Sequence, residues 1–142
     1  MFLLDTDHLV ILQRQNEPEY GRLQARMQHY PRDEFRLSIV SFHEQVLGAN
    51  AFISRASSPA AMVRGYQMLK VSLMDFNRFP VLPFDEPAAR EFEALRSQGV
   101  RIGTMDLRIA AIAVSNNLTV LTRNLVDFGR VPGLRIQDWT VN

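Results

Sequence analysis

The 142-residue chain has no cysteine, which excludes disulfides and thiolate-bound metals and leaves oxygen or histidine as the only ligands for a metal site. Lysine is nearly absent: of 16 basic residues only Lys70 is a lysine. The arginines that replace it suit bidentate phosphate contact, although genome base composition produces the same bias. No apolar run approaches the roughly 18 residues of a membrane span, and no positively charged leader precedes the first apolar stretch. Nor is there an internal repeat, a linker or a low-complexity tract. A formal net charge of +1 argues against a strongly basic, non-specific nucleic-acid binder. Together these absences predict one cytoplasmic domain over residues 1–142, long enough to bury a core without staples.

What is present is organised around Phe2-Leu3-Leu4-Asp5-Thr6-Asp7. An apolar run without polar alternation reads as a strand buried on both faces, as in the middle of a parallel sheet. An acid at the carboxyl end of such a strand stands where open α/β sheets place their ligand crevices. Thr6 or Asp7 is expected to cap a helix beginning near His8, and a second helix is expected over 19–30. A strand over 35–40 follows, then a helix capped by Ser41 with Glu44 in its first turn. Ser58-Pro59 opens a long helix to about Phe79. Pro80 and Pro83 bracket a short strand over 81–84. Asp85 opens a helix closed at Gly99, and a mostly apolar helix starts near Asp106. Strands over 119–122 and 134–136 complete the alternation, which predicts an α/β fold: a parallel sheet with helices on both faces.

Four acids, Asp5, Glu44, Asp106 and Asp127, lie just after strands or at helix starts. Gathered at one end of a sheet, unpaired carboxylates raise one another's pKa. A hard divalent cation such as Mg²⁺ or Mn²⁺ relieves this with oxygen ligands alone. Asp7 reads either as a ligand or as a helix cap. Ions so held polarise a phosphodiester and activate water. Arg101, Arg108 and Arg123 flank the acidic segments and are candidates to steer a nucleic-acid backbone. His8, His29 and His43 share no spacing and read as structural or exposed.

The stretches LLDTDH at 3–8, SIVSFHEQVLGA at 38–49, IGTMDLRIAAIA at 102–113 and LTRNLVDFGRVPGL at 121–134 resemble the PIN-domain family, in particular the VapC-type toxins of bacterial toxin–antitoxin pairs. The resemblance covers essentially the whole chain. It implies a three-layer α/β/α fold with a central parallel sheet of four to five strands and a Mg²⁺- or Mn²⁺-dependent endoribonuclease acting on RNA. Asp5, Glu44, Asp106 and Asp127 match the family's acidic quartet, and Thr122 and Asn124 match supporting positions. Asp7 stands where many members carry Asn. The resemblance also implies a homodimer and a cognate antitoxin. Two rivals remain. Asp5-Thr6-Asp7 after a strand also opens haloacid-dehalogenase-like phosphatases, with Asp5 as nucleophile, but that chemistry needs a lysine and Lys70 falls in a long helix. The other rival is a module that binds RNA or a partner without cleaving. Nucleases of related fold that act on DNA or flap structures carry longer chains.

Overall fold

A computed structural model describes residues Met1–Asn142. Five parallel strands form its sheet: β1 (Phe2–Leu4), β2 (Phe35–Ser38), β3 (Val81–Leu82), β4 (Thr119–Leu121) and β5 (Arg135–Gln137). Their spatial order is β3-β2-β1-β4-β5. The first strand is therefore central, paired with β2 through Phe2↔Phe35 and with β4 through Phe2↔Thr119 to Leu4↔Leu121. The chain lays strands to one side of β1, then crosses to the other. At that reversal, between β1 and β4, neighbouring connections diverge and leave a crevice at the carboxyl ends.

Side chains alternate across the sheet with a period of two. Leu3 and Val120 face a largely aliphatic core with Ile109, Ala110, Ile112 and Phe128. Phe2, Leu4, Phe35, Leu37 and Leu121 face an aromatic-rich core with Phe76 and Trp139. Each fully buried leucine contributes about 1.5–3 kcal/mol, so the unbroken apolar sequence of β1 follows from its having a core on both faces. Seven helices cover the sheet: α1 (Thr6–Arg14), α2 (Glu19–Met27), α3 (Ile39–Arg55), α4 (Pro59–Phe76), α5 (Glu86–Ser97), α6 (Thr104–Ser115) and α7 (Leu125–Phe128). This is the three-layer arrangement expected, and α6, buried along most of its length, is apolar for that reason. No helix is long and apolar enough to cross a membrane.

Several boundaries differ from expectation, each through a cap. The cap of α1 is Asp5 itself, and the helix starts at Thr6, not near His8. Ser38, not Ser41, caps α3: the Ser41 N–H donates to Ser38 Oγ at 3.0 Å. That ends β2 two residues early and places Glu44 in the second turn of α3 instead of the first. The second helix ends at Met27 and the fourth at Phe76, and β3 keeps only two residues. The four-residue α7 after β4 has no counterpart among the elements expected from the sequence.

Candidate functional site

Asp5 emerges where β1 becomes α1, and both halves of the group are held. Its backbone N–H donates to Leu121 O at 2.9 Å, continuing the β1–β4 ladder. Oδ1 accepts from the Thr6 N–H at 2.8 Å, and Oδ2 accepts from Thr122 Oγ1 at 2.8 Å. Thr122 stands one residue beyond β4, so this bond closes the crevice at the sheet reversal.

Asp7 is turned to the same loop. Its Oδ2 accepts from the Arg123 N–H at 2.9 Å and lies 3.3 Å from Thr122 Oγ1. Its Oδ1 is 2.8 Å from Nδ1 of His8, a residue with no solvent exposure. The Trp139 N–H donates to His8 Nε2 at 3.2 Å, which puts the ring proton on Nδ1, facing Asp7. Asp7 is thus neither the helix cap nor free. It fastens α1 to the β4–α7 loop.

On the opposite wall, Glu44 Oε1 accepts from Thr6 Oγ1 at 2.9 Å, and that hydroxyl lies 3.0 Å from Ser41 Oγ. Asp106, in the first turn of α6, is reached by Asn124 Nδ2 at 3.3 Å. The same amide nitrogen lies 3.0 Å from Asp127 Oδ2, while Asn124 Oδ1 caps α7 through the Asp127 N–H. Asp5, Asp7, Glu44, Asp106 and Asn124 line one cavity of about 530 Å³. Asp127 does not line it; it sits behind Asn124, with Arg130 Nη1 3.6 Å from its Oδ1.

Of the three flanking arginines, Arg123 lines the cavity. Exposed Arg101 accepts Arg130 at its carbonyl, and Arg108 lies against Met105 Sδ; neither lines the cavity. Arg14 does, and so does Thr6, which links the two walls. Sequence reading missed both. Arg14 ends α1, two turns beyond Asp7 on the same helical face, and that helical spacing was the available signal.

The electrostatics follow from this crowding. Burial, then the Asp7 charge and more distantly Asp106, push Asp5 up to about 7, against the opposing bonds from Thr122 and Thr6. Glu44 is raised by burial and by the Asp106 and Asp7 charges. Asp106 is raised by burial, by Asp127 and by Asp7. Three acids on one cavity thus hold their protons above the usual carboxylate range, the electrostatic condition that a divalent cation reverses.

The residues fit a hard cation in donor chemistry, being carboxylates without soft ligands. No three acidic or imidazole groups converge as a closed ligand cage.

Comparison with known proteins adds the lineage. Residues 2–134 match the PIN domain family. The chain is 30% identical to the tRNA(fMet)-specific endonuclease VapC of Salmonella typhimurium over 142 residues, covering 97% of each. It is 29% identical to Ribonuclease VapC1 of Haemophilus influenzae, covering 99% of this chain and 98% of that one. Among solved structures it is similar to the DNA-bound VapBC of Salmonella typhimurium, with a TM-score of 0.75, 30% identity and 97% of each chain covered. VapBC-1 of nontypeable Haemophilus influenzae gives a TM-score of 0.76 at 26% identity, covering 99% of this chain and 98% of that one.

Proposed function

The chain belongs to the PIN domain family, and from that premise we propose that it is a metal-dependent endoribonuclease, the toxin of a bacterial toxin–antitoxin pair. The observation that carries the reading is the set of raised carboxylates, Asp5, Glu44 and Asp106, on one cavity at the sheet reversal. Relatives named as an endonuclease and as a ribonuclease align over nearly the whole chain, and similar solved structures contain VapBC complexes. That supports a cognate antitoxin as partner. A homodimer is part of the same proposal, by family resemblance.

Asp5, Asp106 and Glu44 would hold Mg²⁺ or Mn²⁺, with Asp127 joining from behind Asn124. The bound ion supplies charge to polarise the phosphodiester and to lower the pKa of water. The chain's own groups do the rest. Thr122 and Thr6 fix one oxygen each of Asp5 and Glu44. Glu44, on the cavity beside Thr6, is placed to orient water or take its proton. Arg14 and Arg123 present cations to the RNA backbone at the rim of the cavity. The phosphatase alternative lacks its lysine, since exposed Lys70 does not line the acidic cavity.

The test is cleavage of a total RNA pool by purified, antitoxin-free protein with Mg²⁺, Mn²⁺ or chelator, beside Asp106→Asn. Discrete metal-dependent fragments that vanish in the variant are expected. An intact pool with both metals, from folded protein, would sink the ribonuclease reading.

A further inference from the structure

Beside the acidic cavity lies a second of about 500 Å³, between α1, α3 and α4, within the ~300–1,000 Å³ of small-ligand sites. The two share Thr6, Val10, Arg14 and Glu44 as a common wall, which makes the second cavity a direct neighbour of the acidic one. Only three of its twelve lining residues are hydrophobic, although most of the surface exposed to it is apolar, and Gln13, Gln45 and Arg64 are among its polar groups.

Gln13 and Gln45 form a reciprocal amide pair: Gln13 Nε2 donates to Gln45 Oε1 at 3.0 Å, and Gln45 Nε2 donates to Gln13 Oε1 at 2.8 Å. Buried Ser72 fixes the orientation of the pair by donating to Gln45 Oε1 at 2.7 Å. Each amide nitrogen spends one N–H within the protein and keeps a second. Gln45 Oε1 already accepts from both Gln13 and Ser72, so the pair offers a base edge the spare N–H of each amide and the one remaining lone pair of Gln13 Oε1.

A glycine gives an independent observation. Gly48 sits inside α3, where glycine weakens a helix relative to alanine. A side chain there would meet nothing within 4 Å, so no packing contact requires its absence. Gly65 on the facing helix is different, because a Cβ there would run into Ile53. What the bare Gly48 preserves is the volume of the cavity it lines.

Resting on the ribonuclease reading, the geometry points to this cavity as the subsite for an unstacked RNA base beside the scissile phosphate, with Gln13 and Gln45 reading its edge and Arg64 meeting the adjoining phosphate. Single-stranded RNA is recognised in this way, by splayed bases hydrogen-bonded on their edges.

The test uses the full chain carrying Asp106→Asn, titrated with a pool of labelled single-stranded oligoribonucleotides of random sequence, and the bound fraction is sequenced. Adding Gly48→Leu, which fills the cavity, is expected to weaken binding by about 10-fold; adding Gly48→Ala leaves it within about twofold. Gln13→Leu is expected to flatten preference at one position next to the cleaved bond, by a factor on the order of 10. Arg64→Glu, at an exposed position that cannot unfold the chain by lost burial, is expected to lower affinity across all sequences and to reduce the salt slope by about one or more.

If Gly48→Leu and Arg64→Glu bind the pool with the parent's affinity and base preference, the subsite proposal fails while ribonuclease activity stands. If they weaken only the capture of a protein inhibitor, the cavity belongs to that partner and the proposal fails too. If the unsubstituted chain neither cuts nor binds RNA, the ribonuclease reading has failed first.

Discussion

On one wall of the acidic crevice, Asp5 and Asp7 are tied into a closed network with Thr6, Thr122, the Arg123 backbone and buried His8. On the other, half-buried Glu44 and Asp106 depend on two side chains, Thr6 and Asn124, with Asp127 behind Asn124 and beside Arg130. Both walls are acidic, and the difference lies in how much of each is already committed. The first wall is part of the sheet's own closure, so its geometry is set by folding. The second is held by fewer bonds, and its acids form no closed ligand cage. The chain thus sets a closely tied wall against a sparsely tied one, both crowded with like charge.

The largest effect should come from the fixed wall. Asp5→Asn is expected to reduce cleavage by more than the ~10–100-fold typical of groups that support a metal ligand, read in single-turnover assays. The same substitution should raise the melting temperature of metal-free protein at pH 8, because it removes a buried charge that folding holds at a disadvantage. A lower melting temperature would mean that the Asp5 hydrogen bonds outweigh its burial.

The pH dependence sharpens the same point. Asp5 goes from 3.8 to about 7 on folding, so between those values the folded chain binds more protons than the unfolded one. Its contribution is fully present below about pH 4 and is lost as pH rises through about 7, a change on the order of 4 kcal/mol. Glu44 and Asp106 are raised too and add in the same direction. Metal-free protein should therefore lose stability from pH 5 to pH 8 more steeply than Asp5→Asn does, in urea melts at each pH. Equal slopes would break the comparison, and Mn²⁺ should flatten the wild-type slope.

Smaller effects separate the walls directly. Thr122→Val and Asn124→Ala are each expected to cost about 10–100-fold in cleavage. The Asn124 variant should recover with rising Mn²⁺, because its wall can be reset by the ion. The Thr122 variant should not, because its loss is in the frame. Identical metal titrations would refute the distinction.

The smallest expected change is at His8. His8→Asn retains an N–H near the Nδ1 position and keeps its hold on Asp7, whereas His8→Gln retains an acceptor near the Nε2 position and keeps the Trp139 contact. Cleavage should fall further in the Gln variant, by about 10-fold, with its metal dependence unchanged.

Much of this was legible in the sequence because an apolar run ending in an acid states both a buried strand and what stands at its end. Asp5 was placed that way, and so were the alternation of strands and helices and the apolar α6 that carries Asp106. The boundaries were less legible, because Ile39 and Val40 have strand propensity and only the Ser38 hydroxyl, bonded to the Ser41 N–H, turns them into helix. That shift moved Glu44 one turn deeper. Thr6 was missed because a hydroxyl between two acids carries no signature until the helices are packed, and Arg14 because its helical spacing from Asp7 was the one signal it gave. The position of Asp127 behind Asn124 depends on α7, too short at four residues for periodicity to reveal.

The central place of β1 also has a meaning in time. Asp5 is synthesised well before the hydroxyl that holds it, which belongs to Thr122, 117 residues later. At roughly 5–20 residues per second, synthesis takes on the order of 10 s to cover that distance. Throughout that interval the central strand lacks one neighbour and the acids have no common cavity. In a chain of this topology the acids therefore share a cavity only after β4 and Thr122 have been made.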